Sequence, residues 1–180
     1  MRKLKLYIAS SINGMIAREN GRVDWLDKIP NPHKLDYGYS DFYHSIDATV
    51  QGYNTFEHVR SMGVENPYPD TENFVFTRRK TLAPVPGYQF VTEDHVRFTE
   101  ELKAREGNDI WLIGGGQLNA LMLANGLIDE IWLFIMPVII PDGIRLFGEN
   151  HMEQPLVLQE SINYSSGVTC LKYLKKNINE

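Results

Sequence analysis

Residues 110–116 are Ile-Trp-Leu-Ile-Gly-Gly-Gly, and apolar residues at helical spacing follow from Gln117 onwards. Four apolar residues in succession are expected for a strand that is covered on both faces. The spacing of Leu118, Leu121 and Met122 is typical of a helix that buries one side. A buried strand that leads through a glycine turn into a helix predicts an α/β fold with a mostly parallel sheet.

The glycine turn is also a candidate anion site. Because Gly114, Gly115 and Gly116 carry no Cβ atom, a phosphate can approach the backbone there. The free N–H groups and the dipole of the following helix would attract it. The spacing matches neither the G-x-G-x-x-G of dinucleotide-binding folds nor the P-loop. A purely structural tight turn is the alternative.

The rest of the sequence continues the alternation of strands and helices. Leu4, Leu6 and Ile8 alternate with less apolar residues, which predicts a first strand with one buried face. Asp94 is a candidate helix cap. Further strands are predicted at 48–51, 72–77, 88–92 and 131–140, helices at 36–46, 52–60 and 95–106, and an antiparallel hairpin at 156–164 and 168–174. We therefore expect one domain over residues 1–180, with an antiparallel edge on its parallel sheet.

Composition excludes several classes of protein. With 180 residues, of which 43% are hydrophobic and 23% charged, the chain has room for one globular domain and is not typical of a disordered protein. The 18 Lys and Arg against 23 Asp and Glu give a net charge of −5, which disfavours nucleic-acid binding. The longest apolar run, 131–140, is too short for a membrane helix, which needs about 20 residues. We expect a cytoplasmic protein with no membrane partner.

Cysteine and histidine give no sign of a metal site. Cys170 is the one cysteine, which excludes an intramolecular disulfide and a multi-thiolate zinc site. Its alternating apolar neighbours predict a small buried residue rather than a nucleophile. The five histidines do not have the spacing of a metal-binding motif.

Two further segments are candidate anion sites. Thr77, Arg78 and Arg79 follow a predicted strand, and an arginine at the carboxyl end of a strand is well placed to bind a phosphate. Residues 52–55, Gly-Tyr-Asn-Thr, again join a strand to a helix. For Thr77 to Arg79 a solvated turn is the alternative, and Thr55 could cap the helix instead of binding an anion.

These segments resemble one family when they are taken in order. The resemblance rests on residues 10–17 (Ser-Ser-Ile-Asn-Gly-Met-Ile-Ala), 23–26 (Val-Asp-Trp-Leu), 36–39 (Asp-Tyr-Gly-Tyr), 52–55, 75–79 (Val-Phe-Thr-Arg-Arg) and 110–116, with 135–140 and 143–147 as a late motif. Together they are similar to the bacterial dihydrofolate-reductase-like family. Within it they most resemble the reductase domain of riboflavin-biosynthesis deaminase-reductases, over nearly the whole chain.

The resemblance implies a three-layer sandwich around a mostly parallel sheet of about eight strands. It also implies an NADPH-dependent reductase that passes hydride to a flat nitrogen heterocycle or a ribosylamino-pyrimidine. The first loop would fold over the nicotinamide, and the three anion candidates would hold the phosphates, with Thr77 and Arg78 at the 2′-phosphate. The implied cofactor-binding residues are Ala9, Ile16, Ala17, Gly52, Asn54, Thr55, Thr77, Arg78, Arg79, Gly114, Gly115, Gly116, Gln117 and Leu118.

The substrate side has fewer candidates. Folate reductases have an acidic residue on the first helix that binds the pterin, and Asp36 and Asp41 are the nearby carboxylates here. We take Asp36 as the candidate catalytic carboxylate, because aromatic residues that could stack on a flat ring flank it. The candidate substrate-binding residues are Asn13, Trp25, Tyr37 and Tyr39. Helix capping is the alternative for Asp36, and a solvated helix face is the alternative for Asp41.

Two residues depart from the family pattern. Tyr53 stands where the family usually has an arginine, and Asn13 stands where the riboflavin group usually has an aspartate. The zinc deaminase signature of the bifunctional proteins is absent from this sequence. Two other hypotheses therefore stay open beside the reductase. One is an NADPH-binding module without catalysis, and the other is a structural homodimer that pairs through the last hairpin.

Overall fold

The computed structural model describes residues 1–149 and 152–176, which form ten strands and four α-helices. The strands are β1 (Leu4–Ser11), β2 (Met15–Ala17), β3 (Ile46–Gly52), β4 (Glu72–Phe76), β5 (Tyr88–Val91), β6 (Asp109–Gly114), β7 (Glu130–Met136), β8 (Ile144–Arg145), β9 (Leu156–Asn163) and β10 (Thr169–Lys175). The helices are α1 (Tyr39–His44), α2 (Tyr53–Ser61), α3 (His95–Ala104) and α4 (Gly116–Ala124), with a single 3₁₀ turn at Leu26–Lys28.

Eight strands form one sheet in the order β5-β4-β3-β6-β1-β7-β10-β9. The first six are parallel to one another, whereas β10 and β9 are antiparallel to their neighbours. The predicted eight-stranded sheet with an antiparallel C-terminal hairpin is confirmed. β6 lies between β3 and β1, so the apolar run at residues 110–113 is part of a central strand.

Helices cover both faces of this sheet, because both faces carry apolar side chains. On one face, Leu6 and Leu112 pack with Leu102 of α3 and Met122 of α4. On the other face, Phe42 of α1 packs on β6 and Phe56 of α2 packs on β4. The structure is therefore the three-layer sandwich that the resemblance implied. Within the described part of the chain no helix is long and apolar enough to cross a membrane, the longest, α3, having ten residues.

Several details of the predicted elements differ in the structure. The first helix begins only at Tyr39, because Gly38 has a positive φ of 77° that interrupts helical geometry. Asp94 does not cap α3 with its side chain: its backbone is left-handed, with φ at 46°. β7 ends at Met136 because Pro137 has no N–H to continue the ladder.

The first loop contains a strand that the sequence did not predict. β2 lies within the loop and pairs antiparallel with β8, which comes from the late motif. The loop is therefore part of a second, two-stranded sheet. Neither strand has the length or alternation that would reveal it in the sequence, because β2 has three residues and β8 has two.

The amino ends of the strands lie in a network of paired charges. Lys5 is only 8% exposed, and its Nζ lies 2.7 Å from Asp109 Oδ2. Lys103 is buried to a similar degree, and its Nζ lies 2.6 Å from Asp129 Oδ2. A buried ammonium group requires such a partner because it has lost its water. Lys5 and Lys103 therefore form ion pairs within the fold.

Leu112 is fully buried at the centre of the sheet, and this position predicts a large loss of stability on truncation. We expect Leu112→Ala to lower the free energy of unfolding by about 2–5 kcal/mol, because it removes buried apolar contacts and leaves a cavity. Leu158→Ala, at a side chain that is 51% exposed on β9, is the matched control and should cost less than about 1 kcal/mol. Urea denaturation measures both, and equal losses would contradict the assigned core.

Candidate functional site

The three predicted anion segments lie at one edge of the sheet. β3 ends at Gly52, β4 at Phe76 and β6 at Gly114, and the register pairs Gly52 with Phe76 and Gln51 with Gly114. Because these strands are parallel and adjacent, their carboxyl ends are side by side. Ligands of open α/β sheets bind at this edge.

The glycine turn between β6 and α4 has no room for a side chain at Gly114 or Gly116. Gly114 has a φ of 104°, and the Gly114–Gly115 peptide is cis. A Cβ atom on Gly116 would overlap the carbonyl oxygen of Arg145, and one on Gly114 would lie 2.9 Å from the Oδ1 atom of Asn119. Glycine is therefore required at positions 114 and 116 for packing, in addition to any role in binding.

Thr55 connects the starts of two helices. Its Oγ1 accepts a hydrogen bond from the Gly115 N–H at 3.2 Å and donates to the Gly114 carbonyl at 3.4 Å. The hydroxyl of Thr55, on the first turn of α2, thus fixes the turn that precedes α4. The backbone of Gly52 is also close, since a Cβ there would lie 3.7 Å from the Gly114 oxygen.

Neither of these helices has a side-chain cap at its N-terminus. In α4 the first intrahelical bond is donated by Asn119 N–H to Gly115 O, so the N–H groups of Gly116, Gln117 and Leu118 precede it. Such N–H groups carry the positive end of the helix dipole and bind anions. The Leu118 side chain lies in the core, so only its backbone can face a ligand, whereas Gln117 is exposed.

Thr77 is buried and organises the segment that follows β4. Its N–H donates to Val91 O at 3.0 Å, and its Oγ1 accepts the Arg79 N–H at 3.1 Å. His95 lies beneath this segment, with its ring stacked on Phe76 and its Nε2 3.2 Å from Thr77 O and 3.0 Å from Val91 O. Since both neighbours are carbonyl acceptors, this nitrogen carries the proton and donates.

The two arginines of this segment are not neutralised by carboxylates of the described residues. Lys80 lies 3.8 Å from Glu93, but Arg78 and Arg79 make no ion pair in the described part of the chain. Both are exposed. The Arg79 guanidinium lies instead over the Tyr53 ring, 4.3 Å from its centroid. Two arginines are thus free to bind an anion beside the start of α2.

The first loop lies next to the same edge. Asn13 accepts a hydrogen bond from Ser11 Oγ at 2.8 Å and donates to the Ile140 carbonyl at 2.7 Å. The amide of Asn13 therefore holds the loop against the segment after β7. Of the residues expected near the nicotinamide, Ala9 and Ile16 are half-buried and Ala17 is buried. Asn54, on the first turn of α2, is exposed.

The candidate substrate residues differ in their exposure. Trp25 is 1% exposed and packs in the core, and its Nε1 has no hydrogen-bond partner among the described residues. Tyr37 is half-buried and donates to Ser166 Oγ at 3.0 Å. Tyr39 is half-buried on α1, in edge-to-face contact with Trp111. Tyr37 and Tyr39 thus keep partly exposed side chains, whereas Trp25 does not; the substrate roles of all three stay predictions.

Asp36 is exposed and lies at the start of α1. Its carboxylate oxygens accept the N–H groups of Gly38 at 3.0 Å and Ser40 at 3.2 Å. These hydrogen bonds hold the pKa of Asp36 below its ordinary value. The capping alternative from the sequence is what the structure shows. A catalytic role would have to use Asp36 as an ionised carboxylate, because it holds no proton near neutral pH.

Sequence reasoning missed two residues that support the site. Asn119 is fully buried; its Nδ2 donates to Leu146 O at 2.8 Å and its Oδ1, beside Gly114, has no partner among the described residues. His95 fixes the Thr77 carbonyl, as described above. Asn119 could have been found in the sequence, because it is a polar residue within the apolar pattern of α4. His95 could not, because its position at the start of a helix does not indicate a supporting role. Over residues 1–149 and 152–176 no cluster of three potential metal ligands is found.

Comparisons with known proteins find relatives that match nearly the whole chain. A family model described as the RibD C-terminal domain matches residues 2–170. The uncharacterised protein YwjB of Bacillus subtilis (strain 168) is 37% identical over 167 residues, which are 93% of this chain and 95% of YwjB. A crystal structure of a Shewanella sp. PV-4 protein named for riboflavin biosynthesis has a TM-score of 0.87 and 28% identity, covering 97% of this chain and 99% of that one.

Two more distant structures share the fold. The deaminase/5-amino-6-(5-phosphoribosylamino)uracil reductase of Thermotoga maritima has a TM-score of 0.74 and 15% identity, over 97% of this chain and 57% of that chain. The dihydrofolate reductase of Enterococcus faecalis, solved with NADP(H), has a TM-score of 0.63 and 14% identity, over 97% of each chain. The dihydrofolate-reductase-like fold predicted from the sequence is confirmed.

The hydrogen bonds of Asp36 predict a pH-dependent contribution to stability. Because its pKa is lowered in the folded state, the contribution is present above the unfolded value of about 3.9 and is lost as the pH falls through the folded pKa. We expect Asp36→Ala to lower Tm by about 2–4 °C at pH 7, and the difference from wild type to close as the pH falls below about 4. Asp41→Ala, at a carboxylate of α1 without a hydrogen bond in the described residues, should show a smaller loss in the same thermal scans.

Proposed function

Because the chain belongs to the RibD C-terminal domain family, we propose that it is an NADPH-dependent reductase whose substrate is a nitrogen heterocycle or a ribosylamino-pyrimidine. One observation carries this proposal. The N-termini of α2 and α4, which have no side-chain cap, are joined by the Thr55–Gly115 hydrogen bond at the carboxyl edge of the sheet. Beside them lie Arg78 and Arg79, which form no ion pair in the described residues. That combination suits a ligand with several phosphates.

The residues present fit the cofactor. At Gly115 a Cβ atom would lie 3.4 Å from Thr55 Oγ1, so glycine leaves this position open, whereas Asn119 and the Arg145 carbonyl fill the space beside Gly114 and Gly116. The N–H groups at the starts of α2 and α4 are donors for a pyrophosphate. Arg78 and Arg79 supply the positive charge that a 2′-phosphate needs, in a chain whose net charge is −5.

Each segment would then contact a different part of NADPH. Gly52, Asn54 and Thr55 on α2 and residues 114–118 would hold the pyrophosphate, and Thr77, Arg78 and Arg79 would hold the 2′-phosphate. The first loop, with Ile16, would lie over the nicotinamide, beside Ala9 of β1. When bound, NADPH supplies the hydride. The protein contributes orientation and exclusion of water, as is usual in cofactor enzymes.

On the substrate side the chain offers aromatic surface and one carboxylate. Tyr37 and Tyr39 could stack on a flat ring, and Asp36 could accept a hydrogen bond from a ring N–H. The lowered pKa of Asp36 keeps it ionised, so its role would be to orient the substrate. A proton for the product would then come from water.

Two other functions are weighed against the reductase. A nucleotide-binding module without catalysis is favoured by Asn13, whose amide is engaged with the Ser11 hydroxyl and the Ile140 carbonyl. A structural homodimer is favoured by the edge strand β9, which exposes Leu156, Val157 and Leu158. The module predicts NADPH binding without turnover, and the homodimer predicts no NADPH binding.

The glycine turn provides the direct test. We expect the wild type to bind NADPH and to oxidise it with a substrate from a panel of pterins and ribosylamino-pyrimidines. Gly115→Val places a branched side chain against Thr55 and into the phosphate position, so it should abolish binding. Calorimetry measures the affinity, and thermal unfolding shows whether the variant is folded. Unchanged affinity in a folded variant would move the site elsewhere.

Arg78 should determine much of the preference for NADPH over NADH. The two cofactors differ by one phosphate, and a charge-assisted hydrogen bond to it contributes on the order of 1.5–3 kcal/mol. Arg78→Ala should therefore reduce the ratio of the two affinities by about tenfold or more at low salt. Titration of both cofactors measures this ratio. An equal loss for NADPH and NADH would contradict the assignment.

A further inference from the structure

Tyr53 and Arg79 form a contact that neither segment indicates by itself. Tyr53 is the first residue of α2, and its ring packs against Phe56 and Phe90, with centroids 5.8 and 6.4 Å away. This apolar cluster holds the ring in place. The guanidinium carbon of Arg79 lies 4.3 Å from the ring centroid, which is within cation–π distance.

We propose that Tyr53 is a positioning residue for the 2′-phosphate of the cofactor, and that it acts by holding the Arg79 guanidinium over its ring. This inference rests on the proposed function, since it assigns a specificity role within the same cofactor site. Tyr53 itself does not contact the phosphate. Arg79 provides the donors, and the aromatic ring determines where they lie.

Stacking suits this task better than an ion pair. A guanidinium uses its face to stack on a ring, and its N–H groups at the edge stay free for a bidentate bond to a phosphate. A carboxylate partner would occupy those same N–H groups and cancel the charge. The backbone of Arg79 is fixed as well, because its N–H donates to Thr77 Oγ1.

The contact also explains the departure at position 53. The family pattern has an arginine at position 53, at the start of α2. This chain has Tyr53 there, and the ring of Tyr53 contacts Arg79, which follows the end of β4. The positive charge is therefore retained at the same corner of the site. Arg78 and Arg79 would together bind the 2′-phosphate, one unrestrained and one held in position.

The experiment compares two replacements of Tyr53. Tyr53→Phe keeps the ring and removes a hydroxyl that makes no hydrogen bond in the described residues, so NADPH affinity should stay within about twofold of wild type. Tyr53→Leu keeps an apolar side chain but removes the ring, and should weaken NADPH binding about threefold to fivefold. NADH affinity should not change in either variant. Calorimetric titration of both cofactors gives the four values.

The background of Arg79→Ala separates positioning from packing. Arg79→Ala should weaken NADPH binding about tenfold. If Tyr53 acts through Arg79, then adding Tyr53→Leu to Arg79→Ala has no further effect on NADPH affinity. Thermal unfolding of each variant shows that the cluster around Phe56 is still folded.

Three results would overturn the inference. They are an unchanged NADPH affinity in Tyr53→Leu, an equal loss for NADH, and the same loss from Tyr53→Leu with and without Arg79. None of these affects the proposed function, because wild-type NADPH binding would remain. Absence of NADPH binding by the wild type would instead remove the proposed function, and the inference with it.

Discussion

Glycine at positions 114 and 116 lets the surrounding structure pack directly against the backbone between β6 and α4. The Arg145 carbonyl comes so close to Gly116 that a Cβ atom would overlap it, and Asn119 lies directly beside Gly114. Thr55 reaches the same turn from the neighbouring helix. Because Gly114 and Gly116 carry no side chains, these neighbours pack directly against the turn. This packing fixes the relative positions of the first loop, both helix starts and the strand ends.

Charge is distributed unequally between the two ends of the parallel strands. At the amino ends, Lys5 and Lys103 are buried and each is paired with an aspartate. At the carboxyl ends, Arg78 and Arg79 are exposed and have no carboxylate partner in the described residues, and two helix dipoles add their positive ends. A chain with a net negative charge can therefore attract an anion to this edge, because exposed guanidinium groups and two helix N-termini lie together there.

Much of the fold could be predicted from the sequence, because β1, β6 and α4 have clear periodicity and the glycine turn marks the strand-to-helix junction. The three anion segments could be placed on one edge because parallel strands end together. The β2–β8 pair could not be predicted, since these strands have three and two residues and lie far apart in the chain. The contact of Arg79 with Tyr53 depends on how a strand end and a helix start meet in space. Asp36 shows a different limit: its sequence position suits both a cap and a ligand, and only the structure shows that it accepts N–H groups at the start of α1.

The late segment around β8 contacts both halves of the site. Through Arg145 it pairs with Met15 of the first loop, and through the Leu146 carbonyl it receives the Asn119 side chain of α4. Because β8 contacts both the first loop and α4, a shift of either element is transmitted to the other through these hydrogen bonds.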